Sequence, residues 1–570
     1  MSCTTFTPGI RSDLKIIQPE TTLTGGKIKK LQKGLPKQVE SLCPECTKVI
    51  SGRHFEENGR VMIEKTCPEH GEFKDCIYSD VELYLKMEEW EFGDNRGLSN
   101  PAVNDVNATC PTDCGLCSLH TSHTALANVD LTNRCNLTCP VCFANANAAG
   151  YLYEPSMAEV RVMLQTLRDE RPVDGRVVQF SGGEPTIHPN FIEILAMTKE
   201  MGFTHTQAAT NGIMIGASLE FAQKCKAAGL ETLYLQFDGV TDDVYRKTRG
   251  EPLFEKKMQC IENCRKTGMK IVFVPTIVKG LNDHQLGDIV RIAIENIDTV
   301  SGISFQPVAF TGRIAKKELE EKRFTLPDLA FAISDQTGIT DKYHDWFPLS
   351  CVTPFSKLIA ALENRGVPTI SCHPHCSLGT YFFVDEKSKK AVPVTQFVDI
   401  PAMLQDMEQL SRKARGGILK YYHGSKAWLA LQRHFKPELA PPGLSFTKFL
   451  QTLQGMTNKK LGRDGQDGVF TYRTLLVAGM HFMDAYNYDV ERVKRCVIHY
   501  AAPNGKLYPF CTYNSGPTFR EQVEKQFSIP FEAQLERFNF DAPKSNGNGC
   551  GCGNGNGCGS NGNKGFVNPV

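Results

Sequence analysis

The chain has 570 residues, enough for about three to four domains of ordinary size. Its 64 lysines and arginines stand against 63 aspartates and glutamates, which argues against a protein that coats nucleic acid through a global positive field. No run reaches the roughly 18 consecutive apolar residues of a membrane-spanning helix, and no signal-peptide pattern opens the chain. We therefore expect a cytoplasmic protein whose 22 cysteines are metal ligands and not disulfides.

The composition predicts six segments along the chain. They are a flexible arm (1–36), a zinc-ribbon or rubredoxin-like metal module (37–95), an auxiliary-cluster loop (96–127), a barrel (128–330), a C-terminal helical domain with auxiliary-cluster ligands (331–540) and a disordered tail (541–570). The tail is rich in glycine and asparagine and cannot bury apolar surface. Metal capture by its Cys550, Cys552 and Cys558 is an alternative function with a large entropic cost.

The metal module carries two cysteine knuckles. Cys43-Pro-Glu-Cys46 is followed, twenty residues after Cys46, by Thr66-Cys67-Pro-Glu-His70. We favour His70 as the fourth ligand because it keeps the knuckle spacing, while Cys76 is the alternative. A site with three cysteines and one histidine favours structural zinc, whereas an all-sulfur site favours a mononuclear iron.

A second group of three thiols, Cys110, Cys114 and Cys117, lies just before the barrel at the spacing of an iron–sulfur cluster. Further along, Cys351, Cys372, Cys376, Cys496 and Cys511 bring the number of candidate ligands to eight, enough for two auxiliary [4Fe–4S] clusters. Their grouping cannot be deduced from spacing, and Cys351 and Cys496 also fit as small buried hydrophobes. Three cysteines of barrel helices are predicted to be core residues, namely Cys225, Cys260 and Cys264.

Residues 128–310 alternate β-rich runs with helical patterns, which indicates an α/β fold with a parallel sheet, a partial (β/α)6 barrel. Ligands of such a barrel gather at the C-terminal ends of the strands. The predicted strands are 127–131, 177–180, 204–209, 232–237, 270–276 and 303–308. The predicted helices between them include 157–167, 191–201, 219–228 and 254–267.

Directly after the first strand, Cys135, Cys139 and Cys142 form a C-x3-C-x2-C loop. Three thiolates suit three corners of a [4Fe–4S] cube and leave one iron open, whereas zinc normally needs four protein ligands. The loop resembles that of the radical S-adenosylmethionine (SAM) superfamily. This resemblance implies that the amino and carboxylate groups of SAM chelate the open iron. An electron then cleaves SAM into methionine and a 5′-deoxyadenosyl radical that abstracts hydrogen.

The other strand ends carry candidate SAM contacts. The second strand ends in Gly182-Gly183-Glu184-Pro185, where two glycines let the backbone approach a ligand, and the resemblance implies that this motif holds the SAM amino group. Arg246 and Arg249 are candidates for neutralising a carboxylate, although surface arginines are commonly solvated. The remaining polar candidates for ribose, carboxylate and adenine are Thr210, Asn211, Gln236, Asp238, Thr276 and Gln306, with Asn211 equally explained as a turn residue.

Residues 405–436 interleave aromatic residues with seven basic and two acidic ones, a net charge of +5. Such a stretch suits an anionic membrane surface, so a peripheral location on the inner membrane surface is one expectation. A basic solvated helix covering the barrel is the other. The pair Gly416-Gly417 is predicted to divide the stretch into two helices.

A narrower resemblance is to the tetraether lipid synthases and their bacterial membrane-spanning-lipid homologues. It spans residues 40–530 and rests on the Cys43 and Cys67 knuckles, CPTDCGLC at 110–117, NVDLTNRCNLTCPVCFANAN from Asn128, FSGGEPT from Phe180, SCHPHC at 371–376 and AGMHFMDAYNYDVERVKRCVIHY from Ala478. It implies an enzyme that joins two lipid chains through an sp³–sp³ carbon bond, with a lipid substrate, a membrane surface and a low-potential electron donor as partners.

Two alternatives remain open at this point. Older descriptions of the same branch propose a radical SAM methylase acting on a reduced pterin, which predicts a compact pocket with hydrogen-bonding groups for a heteroaromatic ring. A non-catalytic iron–sulfur electron carrier is disfavoured, because a carrier has no use for an open iron beside Gly182 and Gly183.

Overall fold

The computed structural model describes residues 31–93, 108–311 except 118 and 145, 319–457 except 415 and 418, 472–516 and 519–530. Most of the predicted arm and the whole tail, with Cys550, Cys552 and Cys558, lie outside these residues. The β-strands are β1 (Lys37–Leu42), β2 (Val49–Glu57), β3 (Arg60–Cys67), β4 (Gly71–Tyr78), β5 (Leu126–Thr132), β6 (Tyr151–Tyr153), β7 (Val177–Gly182), β8 (His205–Thr210), β9 (Thr232–Gln236), β10 (Lys270–Val274), β11 (Thr276–Ile277), β12 (Val300–Pro307), β13 (Ser377–Asp385), β14 (Ala391–Pro393), β15 (Tyr472–Met480), β16 (Ile498–Ala501), β17 (Leu507–Pro509) and β18 (Ser528–Pro530).

The helices connect these strands and build a separate C-terminal layer. They are α1 (Val81–Glu89), α2 (Met157–Asp169), α3 (Phe191–Glu200), α4 (Ile213–Ala217), α5 (Leu219–Ala228), α6 (Asp242–Arg249), α7 (Phe254–Thr267), α8 (Leu286–Glu295), α9 (Leu319–Lys322), α10 (Leu326–Thr337), α11 (Thr353–Glu363), α12 (Ile400–Lys413), α13 (Leu419–His434), α14 (Phe446–Thr457), α15 (Val490–Lys494), α16 (Phe510–Asn514) and α17 (Phe519–Gln526). The predicted break at Gly416-Gly417 is confirmed, since α12 ends before it and α13 begins after it.

The N-terminal strands form an antiparallel sheet in the order β1-β2-β3-β4. Buried and exposed residues alternate along β3, as expected when one face of a sheet packs on a core. Helix α1 follows this sheet and begins at Asp80, whose side chain accepts a hydrogen bond from the amide of Leu83.

The central sheet contains the barrel. Its strands lie in the order β14-β13-β15-β12-β10-β9-β8-β7-β5-β16-β17, and the run from β5 to β12 is parallel. The six predicted strands are the ones in this run, and their helices lie between them in sequence. Helices α5 and α7 end where Gly229 and Gly268 adopt the left-handed conformation that favours glycine. The predicted partial barrel is confirmed.

The sheet also extends beyond the range predicted for the barrel. Strand β15 pairs in parallel with β12, and β16 pairs in parallel with β5, so residues past 330 cover both edges of the six-stranded run. These pairings join segments far apart in sequence, and neither strand carries a local signal of its partner. A separate apolar core of helices α11 to α14 includes Phe397, Phe435 and Phe449.

Candidate active site and metal centres

The structure brings the predicted SAM-facing residues to one cavity. Cys135, Cys139 and Cys142 follow β5 and line the cavity together with eight of the nine predicted SAM contacts. Those eight are Gly182, Gly183, Glu184, Thr210, Asn211, Gln236, Thr276 and Gln306. Burial raises the pKa of the Cys135 thiol to about 12, so a thiolate at this position requires a compensating metal charge. The donor set therefore fits an iron–sulfur cluster with three protein ligands.

The two glycines have a packing role that the sequence did not predict. A Cβ atom on Gly182 would lie 2.2 Å from the carbonyl oxygen of Thr132, and one on Gly183 would lie 2.1 Å from that of Arg134. The amide of Gly183 also donates to the carbonyl of Thr132 at 2.7 Å. Glycine is therefore required at both positions, because the end of β7 packs closely against the backbone that leads into the cluster loop.

Glu184 ties neighbouring strand ends together. Its buried carboxylate accepts hydrogen bonds from the hydroxyls of Thr186 and Thr210 at 2.5 and 2.7 Å and from the amide of Asn211 at 2.8 Å. The Asn211 side chain donates to Oδ1 of Asn136, inside the cluster loop, at 2.6 Å. The carboxylate is therefore engaged by the protein, and Asn211 connects the end of β8 to the cluster loop.

Asp238 differs from the prediction because it does not line the cavity. Burial would raise the pKa of Asp238, but Arg249 donates to both carboxylate oxygens at 2.6 and 2.9 Å and holds the pKa below its ordinary value. Gln236 donates to the same carboxylate at 2.5 Å. Arg249 therefore neutralises Asp238 within the protein and also lines the cavity, while the second predicted arginine, Arg246, is exposed on α6.

Lys257 is a buried cation that sequence reasoning missed. Its Nζ atom donates to the carbonyl oxygen of Asn211 at 2.5 Å and to Oε1 of Gln236 at 3.3 Å. Burial lowers the pKa of Lys257 to about 8. The detectable signal was its position on α7, where it shares the apolar face of Cys260, Ile261 and Cys264 at helical spacing.

Four cysteines line a second, small apolar cavity. They are Cys372, Cys376, Cys496 and Cys511, drawn from three separate stretches of the chain. Arg492 lies beside them and donates from Nε to the Cys376 sulfur at 3.4 Å. Buried thiolates need such positive charge, so this donor set fits a [4Fe–4S] cluster with four protein ligands.

Of the remaining predicted cluster ligands, three lie close together and the fourth, Cys351, lies apart from them. Cys110, Cys114 and Cys117 lie close enough that each neighbour's charge raises the pKa of the Cys110 thiol, although burial is the larger cause. Cys351 packs instead with Trp90, Phe347 and Leu404 and lines neither cavity. Its surroundings fit the alternative role of a small buried hydrophobe. The cysteines predicted as core, Cys225, Cys260 and Cys264, are fully buried.

The N-terminal metal site is compact. Cys43, Cys46, Cys67 and His70 place their ligand atoms within 4.8 Å of one another. The sulfur of Cys67 lies 3.5 Å from Nδ1 of His70 and 3.9 Å from the sulfur of Cys46. Tetrahedral zinc with bonds of about 2.3 Å to sulfur needs ligand separations near these values. Cys76 is not in the group, and burial raises the pKa of its thiol to about 11.

An aromatic wall of the first cavity was also missed. Phe143, Phe482, Tyr500 and Phe510 line it beside Asn514 and Ser515. Phe143 and Phe510 are adjacent in sequence to the predicted cluster ligands Cys142 and Cys511, which was the available signal.

The basic aromatic stretch forms an exposed helix surface. Tyr421, Tyr422 and Leu429 on α13 are 73%, 54% and 55% exposed. Contact with a membrane surface stays a prediction. Among the residues that the structure describes, no helix is both long enough and apolar enough to cross a bilayer.

Two family models match this chain. The family described as "Radical SAM superfamily" matches residues 129–293, and "HMPTM N-terminal zinc ribbon domain" matches residues 35–79. A relative from Methanocaldococcus jannaschii named 7,8-dihydro-6-hydroxymethylpterin dimethyltransferase is 43% identical over 500 residues, which cover 87% of this chain and 97% of the relative. The chain therefore belongs to the family of that relative, within the radical SAM superfamily. Membership implies SAM and a [4Fe–4S] cluster as cofactors.

Two other relatives match a shorter part of the chain. GTP 3′,8-cyclase from Clostridium acetobutylicum is 26% identical over 209 residues, covering 36% of this chain and 63% of the relative. Fe-coproporphyrin III synthase from Methanosarcina barkeri is 30% identical over 228 residues, covering 39% of this chain and 54% of the relative.

The expectation of lipid carbon–carbon coupling is wrong. The match to this chain covers 97% of the relative from Methanocaldococcus jannaschii, and that relative is named as a pterin dimethyltransferase. Its name matches the alternative raised from the sequence. The physical reason for the error is that the metal-ligand motifs and the glycine pair hold cofactors and pack the cluster loop. Such motifs are compatible with many substrates and do not distinguish a lipid chain from a pterin ring.

Proposed function

We propose that this protein is a radical SAM methylase that adds methyl groups to a reduced pterin of the 7,8-dihydro-6-hydroxymethylpterin class. The observation that carries the proposal is the 43% identity to a pterin dimethyltransferase over 97% of that relative. The cavity supports it, because aromatic rings line it together with amide and hydroxyl groups, a combination suited to a planar ring with a polar edge.

In this proposal, Cys135, Cys139 and Cys142 would hold the cluster that binds SAM, and the bound cofactor would supply the 5′-deoxyadenosyl radical that takes up a hydrogen atom. The methyl carbon would come from a separate one-carbon donor, because this cleavage leaves the methyl group of SAM on methionine. The backbone at Gly182 and Gly183, with Glu184 as a tie between strand ends, sets the position of the cluster loop. The further SAM-facing residues are Thr210, Asn211, Gln236, Thr276 and Gln306, with Asp238 acting through Gln236 and Arg249.

The other metal sites complete the proposal. Cys372, Cys376, Cys496 and Cys511 hold one auxiliary [4Fe–4S] cluster, supported by their shared cavity. Cys110, Cys114 and Cys117 supply three ligands of a second auxiliary cluster. The Cys43, Cys46, Cys67 and His70 site holds structural zinc, and a low-potential electron donor reduces the SAM cluster.

Expression in an anaerobic host that makes reduced pterins tests the function. Pterins are extracted and analysed by mass spectrometry, and we expect species heavier by one or two CH2 units, the mass added by one or two methylations, in cells that carry the protein. Cys135→Ala removes them, whereas Cys225→Ala, a buried cysteine outside every metal site, retains them. An unchanged pterin pool in cells whose purified protein holds its clusters and forms 5′-deoxyadenosine would refute the proposal.

A further inference from the structure

The cavity has a second set of lining residues that the SAM-facing strand ends do not supply. Phe482 follows β15, Tyr500 lies in β16, and Phe510 begins α16. These elements lie beyond the six-stranded run and meet the cavity because β15 and β16 pair with its two edge strands. This part of the cavity is therefore available to a molecule other than SAM.

The rings of this wall have a defined arrangement centred on Phe510. Phe510 stacks on Phe482 with ring centroids 3.8 Å apart and an interplanar angle of 23°. Its centroid lies 5.4 Å from that of Tyr500 and 5.9 Å from that of Phe143. Phe482 and Phe510 are only partly buried although they lie inside the protein. Both line the cavity, and because the two rings cover one face of each other, the stacked pair has its free ring faces on its outer sides.

Hydrogen bonds hold the wall in place before any ligand arrives. The Asn514 side chain donates to the carbonyl oxygen of Phe510 at 3.0 Å, and Arg520 donates to the Asn514 side-chain oxygen at 2.9 Å. Arg520 in turn donates to Asp130 on β5 at 2.5 Å. This chain of contacts connects Phe510 to the barrel strand that leads into the cluster loop. A ligand that binds there loses little affinity to ordering of the wall.

The wall also separates two cofactor sites. Phe482 lines both the SAM-facing cavity and the four-cysteine cavity, and Phe510 directly precedes Cys511. A planar molecule against these rings therefore lies between the SAM site and the second site. Flat aromatic faces favour a planar ligand ring, and the hydroxyl group of Ser515 in the same cavity favours a heteroaromatic one.

We infer that Phe482 and Phe510 form the platform on which the planar heteroaromatic ring of the substrate stacks. The identification of that ring as a reduced pterin rests on the proposed function. The platform makes Phe482 and Phe510 binding residues of the substrate, with Asn514 as the positioning residue that holds Phe510.

Binding of 7,8-dihydro-6-hydroxymethylpterin to the cluster-loaded protein, measured by anaerobic equilibrium dialysis, tests the platform. We expect Phe510→Leu and Phe482→Leu each to weaken binding about 10-fold, because each breaks the stacked pair in which one ring presents its outer face to the ligand and the other supports that ring. Phe510→Tyr keeps the aromatic face and should bind within about 2-fold of the wild type. Phe383→Leu, a buried phenylalanine with ring contacts in the C-terminal core, is the matched control and should bind like the wild type.

Iron content and SAM-dependent formation of 5′-deoxyadenosine without pterin are measured on the same samples. Wild-type protein that binds the pterin while both leucine variants bind it equally well overturns the platform and leaves the proposed function standing. Wild-type protein that forms 5′-deoxyadenosine but does not bind the pterin overturns both proposals. Weakened binding in the leucine variants, rescued by tyrosine at position 510, supports the platform.

Discussion

At the scale of single residues, Lys257 contacts two of the predicted SAM-facing residues, Asn211 and Gln236, although it lies on an outer helix. Its fully buried ammonium lies near Asp238 and Glu184, whose charges offset part of the cost of its burial. Because it donates to Oε1 of Gln236, the amide nitrogen of Gln236 is left to donate to Asp238. Lys257 therefore fixes the orientation of a side chain that lines the cavity.

Replacing this cation tests its role. We expect Lys257→Met to weaken SAM binding about 10-fold, because it removes hydrogen bonds to Asn211 and Gln236 and leaves two buried carboxylates with less compensation. Isothermal titration of the cluster-loaded protein with SAM measures the effect. Lys256→Met is the control, since Lys256 is exposed on the same helix. Unchanged SAM affinity in Lys257→Met would contradict the assignment.

Glu170 makes the stability of the fold depend on pH. Burial raises the pKa of this carboxyl to about 8, with a contribution from Asp174. Its Oε1 accepts from the Thr124 hydroxyl at 2.7 Å, while Oε2 has no hydrogen-bond partner among the described residues. The folded state therefore holds a proton that the unfolded state loses above about pH 4.5. The stabilisation from Glu170 is complete below that pH, falls as the pH rises towards about 8, and is absent above it.

We expect the difference in the free energy of unfolding between the wild type and Glu170→Gln to change with pH. The wild type should lose stability relative to the variant between about pH 5 and about pH 8, by an amount on the order of a few kcal/mol. Anaerobic differential scanning calorimetry across this range measures it. Glu200→Gln, at an exposed position of α3, should follow the wild type. Parallel curves for the wild type and Glu170→Gln would exclude a protonated Glu170.

At the scale of elements, the zinc ribbon shows how spacing and strand geometry combine. Cys67 ends β3, and the turn that follows carries His70 to the two cysteines of the first knuckle. Cys76 lies within β4, away from the turn. The ribbon sheet is joined to the C-terminal region, since the Ser41 hydroxyl donates to the carbonyl of Tyr488 at 2.5 Å. The ribbon and the C-terminal region are therefore in direct contact.

The ligand assignment predicts opposite outcomes at two positions. His70→Ala should lower zinc affinity by more than the roughly 10- to 100-fold that loss of an outer-shell partner costs, because it removes one of four ligands, whereas Cys76→Ser should leave it unchanged. His70→Cys should restore binding with four sulfur ligands. Zinc retained per chain after dialysis against a chelator, measured by mass spectrometry, distinguishes them. Zinc lost in Cys76→Ser and kept in His70→Ala would reverse the assignment.

The elements also show what sequence can and cannot reveal. The strands ending at Gly182 and Thr210 were predictable because short apolar runs alternate with helical periods, and Cys135 was predictable because metal ligation requires a fixed spacing. The contacts of Asp238 were not, since its partner Arg249 is set by how α6 packs. Phe482 was not predicted as a cavity residue, because an aromatic residue in an apolar stretch has the same local pattern whether it faces a core or a cavity.

At the scale of the whole molecule, residues far apart in the chain hold the units together. Arg323, which lies between the barrel and the C-terminal layer, pairs with Asp75 of the ribbon and with Asp484 after β15. All three side chains are buried, so the charges must compensate one another. The Asp484 carboxylate also accepts from the amide of Phe310 at 3.0 Å, beyond the end of β12. The ribbon, the barrel and the C-terminal region thus meet at a single buried ion cluster.

The same long-range organisation determines which fragments are stable. A fragment of residues 128–330 contains the six-stranded run except for the first two residues of β5, and it lacks β15 and β16, which cover the edges of the run at β12 and β5. Uncovered edges present unpaired backbone groups and favour aggregation, and the fragment also loses the Phe482 and Phe510 wall. We expect this fragment to aggregate and residues 31–530 to remain monodisperse with a full set of clusters, as judged by size-exclusion chromatography and iron content under anaerobic conditions. A monodisperse 128–330 fragment that binds SAM would show that the edge strands are dispensable for folding, and would restrict the C-terminal region to a role in substrate binding and electron transfer.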